Sequence, residues 1–392
     1  MKKSLKGFTK HYLNYTVIGI LLVVFSILSI VSPTRTMADL LPSIIIAVIA
    51  ALSLSLVVGF LGELSLGHAG FMSIGAYLGG KVAIALMEAG DFEATNVLVF
   101  VIAIAVGALC AAICGFVVGF AALRLRGDYL AIVTLAFGEI VRVIFTNSGK
   151  ETFGGALGLD NEAQFLGQKR IYILIIIGMV LVLFTLFVIQ NLLRSKAGRA
   201  ITAIRDNEIA AKATGINVTK FKLMVFVISA AFAGIAGVLF SYSKNPIKAD
   251  IFDYNYSIEI LVIVVLGGMG NINGSMISAV LITVLNNRLT DLLKGDAAVY
   301  KDIFYALILI LIVIYNNAPA LKSFREKYNL KNLINKILRK KHDPSEITND
   351  AARWDVVPTK IEMNEVLSTD IVIDKVGRGD DSADILERGG NK

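Results

Sequence analysis

Apolar runs of membrane-spanning length follow one another almost without pause through this chain, and nothing constrains its fold more. A bilayer core is crossed by about 20 apolar residues of helix, because every backbone N–H and C=O must be satisfied within the segment. Such runs fall at Asn14–Pro33, Asp39–Leu61, Leu64–Met87, Val97–Leu123 and Tyr129–Asn147, then at Arg170–Leu193 and Phe221–Tyr242. The stretch Tyr256–Leu289 is too long for one comfortable crossing. Gly267-Gly268-Met269-Gly270-Asn271-Ile272-Asn273-Gly274 interrupts it, so it reads as two short, broken helices. A last run spans about Val299–Tyr315. The expected architecture is all-α: a polytopic transmembrane bundle of about ten spans with broken helices, occupying residues 1–320.

Composition agrees. The chain is 56% hydrophobic and 18% charged, whereas a soluble domain carries about 25% charge, which argues against a cytosolic enzyme. Cys110 and Cys114 are the only cysteines and lie one helical turn apart inside an apolar run. They make neither a disulfide framework nor a metal cluster and read as small core side chains. The first run resembles a cleaved leader, since Lys2, Lys3 and Lys6 precede it and Thr36-Met37-Ala38 is cleavage-like. Its apolar part exceeds the about 7–15 residues of such a leader, so an uncleaved anchor is expected.

Charge sets the orientation. From Asp343 onward 12 acidic side chains outnumber 6 basic ones, so the net +7 conceals a basic excess of 13 on residues 1–342. The basic residues cluster at Lys2–Lys10, at Arg124 and Arg126, between Arg194 and Lys222, and between Lys322 and Lys341. With the N-terminus in the cytoplasm and the glycine break separating two crossings, all four clusters fall inside, and both termini are cytoplasmic. Beside apolar spans, such an excess marks cytoplasmic loops and not nucleic-acid binding. Residues 321–342 repeat Leu321, Phe324, Tyr328, Leu330, Leu333, Ile334, Ile337 and Leu338 at helical spacing opposite a lysine-rich face. That pattern suits a helix lying on anionic membrane lipid. Residues 343–392 read as a disordered acidic cytoplasmic tail.

The basic loop between the sixth and seventh runs is long for a membrane protein. It reads as a short helix, capped at its start by Asp206 or Asn207 and ended by Gly215 as the residue just past the helix. Alanines fill its middle: Glu208-Ile209-Ala210-Ala211. A small-residue face with charged flanks can seat in a groove on a soluble partner; an ordinary solvated connector is the bland alternative.

Glu208-Ile209-Ala210-Ala211 followed by Gly215 resembles the coupling-loop motif of ABC importer permeases, in the form used by the branched-chain amino acid family. The Ile-x-Leu-Pro ending of the general importer motif is absent, which points away from the maltose-type branch. Gly62–Phe71, Arg124–Leu135 with Gly138-Glu139-Ile140, Thr152–Leu159 and Gly267–Gly274 are similar to further segments of that family, in order across about residues 45–290. Phe153 stands where another small residue is usual. The combination is specific to the LivM-like branch. The resemblance implies a fold of the branched-chain amino acid/ribose permease type and import of leucine, isoleucine or valine. It also implies a homologous second permease, two ATPase subunits and an extracytoplasmic amino-acid-binding protein. Arg205, Asp206, Asn207, Glu208, Ala210, Ala211 and Gly215 would then form the ATPase-coupling loop. A urea or short-amide permease of the same class is the nearest alternative.

Several residues also have readings of their own. His68, between Gly67 and Gly70, is a candidate for the translocation path, although a bond to a neighbouring backbone carbonyl is the simpler expectation. Glu139 and Arg142 are spaced i,i+3 and can pair; ionisable residues inside a bilayer are functional candidates by default. Gly267, Gly268, Gly270 and Asn271 are expected to free backbone groups at mid-membrane, tolerable where they line a cavity or are buried in protein. No Gly-x4-Gly-Lys-Ser/Thr loop, His-Glu-x-x-His or nucleophile elbow occurs, so the chain is expected to be no enzyme and to bind no ATP, cofactor or metal itself. A proton-coupled secondary transporter is the rival from another class, and the coupling-like loop argues against it. Cysteines introduced at Ser4 and Ser345 should both resist an impermeant thiol reagent in intact cells; labelling of just one would break the even-span topology.

Overall fold

The computed structural model describes residues 35–90, 97–122, 128–160 and 168–292, with helical positions 303, 306, 307, 310 and 314 beyond them. All belong to one compact unit, Met1–Asn317. The expected first span Asn14–Pro33, the bulk of the last run Val299–Tyr315, Arg124 and Arg126, and both C-terminal segments (321–342 and 343–392) lie outside the described residues.

Eleven helices are described. They are α1 (Arg35–Ser55), α2 (His68–Gly90), α3 (Val97–Ala122), α4 (Asp128–Thr146), the single turn α5 (Lys150–Phe153), and α6 (Gln168–Arg194). Then come α7 (Lys196–Asp206), α8 (Glu208–Ala213), α9 (Val218–Ser243), α10 (Tyr254–Gly267) and α11 (Ile272–Leu292). Six of these segments, Leu40–Leu61, His68–Ala89, Val97–Ala121, Tyr129–Thr146, Ile173–Arg194 and Val218–Ser243, are long and apolar enough to cross a membrane. The protein is a multi-pass membrane helix bundle.

The centre of the bundle is α1, whose apolar stretch is 89% buried, against 28% for α4. α9 packs along α2, α3 and α1; α11 and α6 flank α1. Outward-facing Leu98, Val101, Leu109, Ile113, Phe116 and Val117 make α3 apolar all round, as a helix bathed in lipid must be. Small residues bring the central axes close: a Cβ at Gly75 of α2 would lie 2.2 Å from the Gly234 carbonyl oxygen of α9.

Two spans are interrupted. α1 does not end at Ser55 but widens into a π-helical turn, Leu56–Leu61, closed by Gly62 at φ +80°. Residues 62–67 are then non-helical, so the third span begins at His68, later than the sequence pattern suggested. The glycine break does separate two helices. They are unequal, with 14 residues in α10 and 21 in α11, and they form an antiparallel hairpin in which Asn286 donates to Glu259 across its open end. Where Gly267 passes Gly274, a Cβ on Gly274 would lie 1.8 Å from the Gly267 carbonyl oxygen.

At the end of the bundle opposite the glycine break, residues 147–160 fold over the helix tips. Leu159 and Ile247 exchange backbone hydrogen bonds of 2.9 Å, and Tyr77, stacked on Phe145 with ring centres 4.2 Å apart, donates to the Ile247 carbonyl. Valine at Gly75 should force α2 from α9 and cost about 1–3 kcal/mol by overpacking. The measurement is the thermal midpoint of the detergent-solubilised protein, with lipid-facing Ile113→Val as an unchanged control.

A candidate coupling joint at the interrupted spans

Four chain segments converge at the end of the bundle where α1 and α10 stop. The first is the loop after α6, and it holds two helices where the sequence suggested one. Ser195 caps α7 by accepting from Gly198, and α7 buries Ile201 and Ile204 against the bundle. At Asn207 the backbone turns extended, and the Asn207 side chain accepts from the Ala210 N–H to start α8. Of the two expected caps, Asn207 and not Asp206 supplies the bond.

α8 ends in a Schellman arrangement: Ile216 N–H bonds Ala211 O at 3.1 Å and Gly215 N–H bonds Lys212 O at 3.0 Å. Gly215 sits at φ +85° with no atom within 4 Å of where a Cβ would be, so it is required by backbone conformation and not by space. The faces of α8 are now assigned. Ala211 points inward at 4% exposure, while Ile209 is 75% exposed and Ala210 and Ala213 are open beside it. The small-residue face splits, with Ala211 serving this chain's own core.

An ion triad holds α8 to the bundle. Lys222, in the first turns of α9, reaches Glu63 Oε1 at 2.5 Å and Glu208 Oε2 at 3.0 Å, with its side chain 5% exposed. Glu63 follows the π turn of α1, and Glu208 opens α8. Sequence reading placed Lys222 merely among loop cations and took Glu63 merely as part of a family signature. The missed signal is a lysine within an apolar helix, which needs partners of opposite charge.

Arg205 makes the second connection. Its Nη1 donates to the Gly59 carbonyl oxygen at 2.6 Å, inside the π turn. A Cβ on Gly62 would lie 3.0 Å from Arg205 Cγ, and one on Gly270, at φ +84°, would lie 2.9 Å from Arg205 Nη1. The two interruptions also touch directly, since a Cβ on Gly59 would meet Gly270 N at 2.7 Å. The glycine break, Gly267, Gly268, Gly270 and Asn271, thus meets the loop that holds α7 and α8 through Gly270 and Arg205. Asn271 caps α11, accepting from Gly274. An open cavity of about 360 Å³ adjoins this place, lined by Phe60, Gln190, Arg194, Gly270, Asn271 and Asn273. A second cavity, of about 180 Å³, opens at the other end of the α10–α11 hairpin, where Ser43, Lys244, Tyr256, Glu259 and Asn286 meet an aliphatic wall.

The remaining sequence candidates gather elsewhere. Gly67 and Gly70 pack on Thr134 and Gly138 of α4, the second of these directly before Glu139. The exposed N–H groups before and at the start of α2 are taken up there: Leu66 donates to Thr134 Oγ1 and Ala69 to Ser257 Oγ, both at 3.0 Å. Glu139 and Arg142 do pair, at 2.9 Å, and Asp250 adds a second carboxylate at 3.0 Å from Arg142. His68 is set apart, buried at 2% exposure. Its partner is a side chain and not a backbone carbonyl: Ser53, whose hydroxyl donates to Ala50 O, is left to accept from His68 Nε2–H at 2.5 Å.

A multi-pass bundle with interrupted spans, meeting an exposed helix at one end and cavities at both ends of a broken hairpin, has the architecture of a transport permease. The comparisons name the family. The family described as "Branched-chain amino acid transport system / permease component" matches residues 36–313, and the chain belongs to it. The Escherichia coli high-affinity branched-chain amino acid transport system permease protein LivM is 35% identical over 326 residues, covering 76% of this chain and 73% of its own. A probable LivM of Methanocaldococcus jannaschii is 29% identical, covering 63% and 79%. The Escherichia coli ribose import permease protein RbsC is 26% identical, covering 63% and 76%. No solved structure matches.

Removing Lys222 strips both carboxylates of their shared cation. Lys222→Met should lower stability by about 3–5 kcal/mol, the usual result of breaking a buried pair from one side. Adding Glu63→Gln and Glu208→Gln to it should restore much of that loss. Thermal unfolding in detergent measures both, and a triple variant no more stable than the single one would rule out the charge argument.

Proposed function

We propose that this chain is one permease half of an ATP-binding-cassette importer in the cytoplasmic membrane, passing leucine, isoleucine or valine inward. A homologous second permease completes the pathway, two separate ATPase subunits supply energy, and an extracytoplasmic binding protein delivers the amino acid. Membership of the branched-chain amino acid permease family is the observation that carries this reading. Both termini are cytoplasmic, residues 321–342 rest on the inner leaflet, and residues 343–392 extend into the cytoplasm as an acidic tail.

On this reading the end of the bundle bearing α7 and α8 is cytoplasmic, and α8 docks on an ATPase. Arg205, Asp206, Asn207, Glu208, Ala210, Ala211 and Gly215 divide the work. Ala210, with Ile209 beside it, meets the ATPase; Asn207 and Gly215 fix the ends of α8; Glu208 and Ala211 bind it to this chain; Arg205 faces the bundle. ATP binding draws the ATPases together and moves α8. The bundle must offer states of differing access, since nucleotide shifts only an equilibrium whose states it distinguishes. Gly67, Gly70, Glu139 and Arg142, near the pathway's outer half, and the Gly267–Asn271 break, at its inner end, are the segments placed to differ between those states, with buried His68 holding α2 to α1.

The relatives named for ribose import bear on substrate choice. One fold serves chemically different cargo, which fits selection by the binding protein more than by this chain.

The test uses the exposed face. Ile209→Asp puts a charge on a side chain that touches little of this protein, so insertion should be normal while ATPase co-purification and leucine uptake fall by about tenfold or more. Gly215→Val should act similarly through about 1–2 kcal/mol of backbone strain, with Gly215→Asn much milder. Parental uptake and co-purification in both Ile209→Asp and Gly215→Val would end the docking assignment.

A further inference from the structure

Arg205 lies in the segment assigned to ATPase docking, yet its guanidinium reaches back to this chain. Although the residue is exposed as a whole, Nη1 bonds a place where the two interrupted spans touch. The acceptor, Gly59 O, lies in the π turn of α1, where widened helical geometry alters the usual hydrogen-bond register. The same Nη1 lies within 2.9 Å of where a Cβ on Gly270 would stand, so the glycine break has room for the guanidinium only because it lacks side-chain bulk. The Arg205 stem, meanwhile, covers Gly62.

We infer that Arg205 is a positioning residue for transport, transmitting displacement of the α7–α8 segment to the π turn of α1 and the α10–α11 break together. The inference deepens the proposed function and rests on it.

Three features of the placement support a transmitting role over a passive brace. The residue sits at the last turn of α7, two residues before the extended Asn207 hinge into α8, so movement of α8 is felt there first. Its hydrogen bond is the sole side-chain bond described between α7 and the π turn, whereas α8 is tethered independently by Glu208 to Lys222. Loss of Arg205 thus leaves α8 attached. And its targets are the ends of two helices, since the π turn of α1 and the end of α10 both stop there.

The experiment uses the complex reconstituted in liposomes with its second permease, ATPases and binding protein, and compares radiolabelled leucine uptake per ATP hydrolysed. Arg205→Met keeps the stem over Gly62 and removes the donors; Arg205→Lys restores a donor and the charge. Arg205→Met should hydrolyse ATP at near the parental rate while uptake per ATP falls by about tenfold, a coupling loss of ordinary size. Arg205→Lys should recover part of that ratio. As a second measurement, spin labels at Asn273 and at lipid-facing Phe116, in a background with Cys110 and Cys114 replaced by alanine, report movement of the break. The ATP-dependent change in their separation should vanish in Arg205→Met.

An unchanged uptake-to-ATP ratio, or a label shift that persists without the guanidinium, overturns the inference. So does a parallel loss of assembly, uptake and hydrolysis that Arg205→Lys leaves unrepaired, which would make the residue a structural brace. A parental complex that neither hydrolyses ATP nor imports leucine is a different result: it sinks the reading of function, not the role of Arg205 within it.

Discussion

Unsatisfied backbone at the interrupted spans is the constraint on which this structure turns. A continuous helix bonds its own N–H and C=O groups, but each interruption strands several of them in apolar surroundings, where each orphan costs several kcal/mol. The chain answers with polar side chains, three from distant segments and one, Asn271, local. Arg205 takes Gly59 O, Thr134 takes Leu66 N–H, Ser257 takes Ala69 N–H, and Asn271 takes Gly274 N–H. The three long-range bonds tie the loop after α6 to α1, the stretch before α2 to α4, and the start of α2 to α10. The apolar contacts fill in around them.

The charged groups obey the same logic. Lys222 on an apolar helix is tolerable because two carboxylates face it, one from the turn after α1 and one from the start of α8. Arg142 likewise has Glu139 on its own helix and Asp250 from the segment after α9. Each cluster joins parts of the chain remote in sequence at one end of the bundle.

Much of this was legible in the sequence, and what was not has a definite cause. Six apolar runs became spanning helices within a few residues, because burial and backbone satisfaction leave a 20-residue apolar segment little choice. Asn207 and Gly215 were readable as helix ends because capping is local chemistry. The π turn of α1 was not readable: Leu56–Leu61 is as apolar as the helix before it, and the contact it makes is with Gly270, more than 200 residues away. The direction Ala211 faces was equally hidden, since one turn of helix between two glycine- or asparagine-bounded ends can be rotated by tertiary contacts at no local cost. For the same reason the neighbours of the glycine break were not readable: composition shows that a helix stops, and only the fold shows that Gly270 meets Gly59 and Arg205.

The magnitudes explain why a movable segment is better joined to interruptions than to helix bodies. Sliding α7 and α8 against a packed span would mean breaking interdigitated side-chain contacts, each buried residue contributing about 1.5–3 kcal/mol. The Arg205–Gly59 bond involves a charged donor and a neutral acceptor, a class worth about 1.5–3 kcal/mol in total. Coupling between sites in proteins typically amounts to about 1–3 kcal/mol. One such bond is therefore strong enough to carry a distinction between two states and weak enough to be exchanged when the states interchange. A second bond of the same kind at the break would stiffen it beyond what coupling requires, and the glycines at 59 and 270, which let the two backbones touch without one, leave that junction free to move.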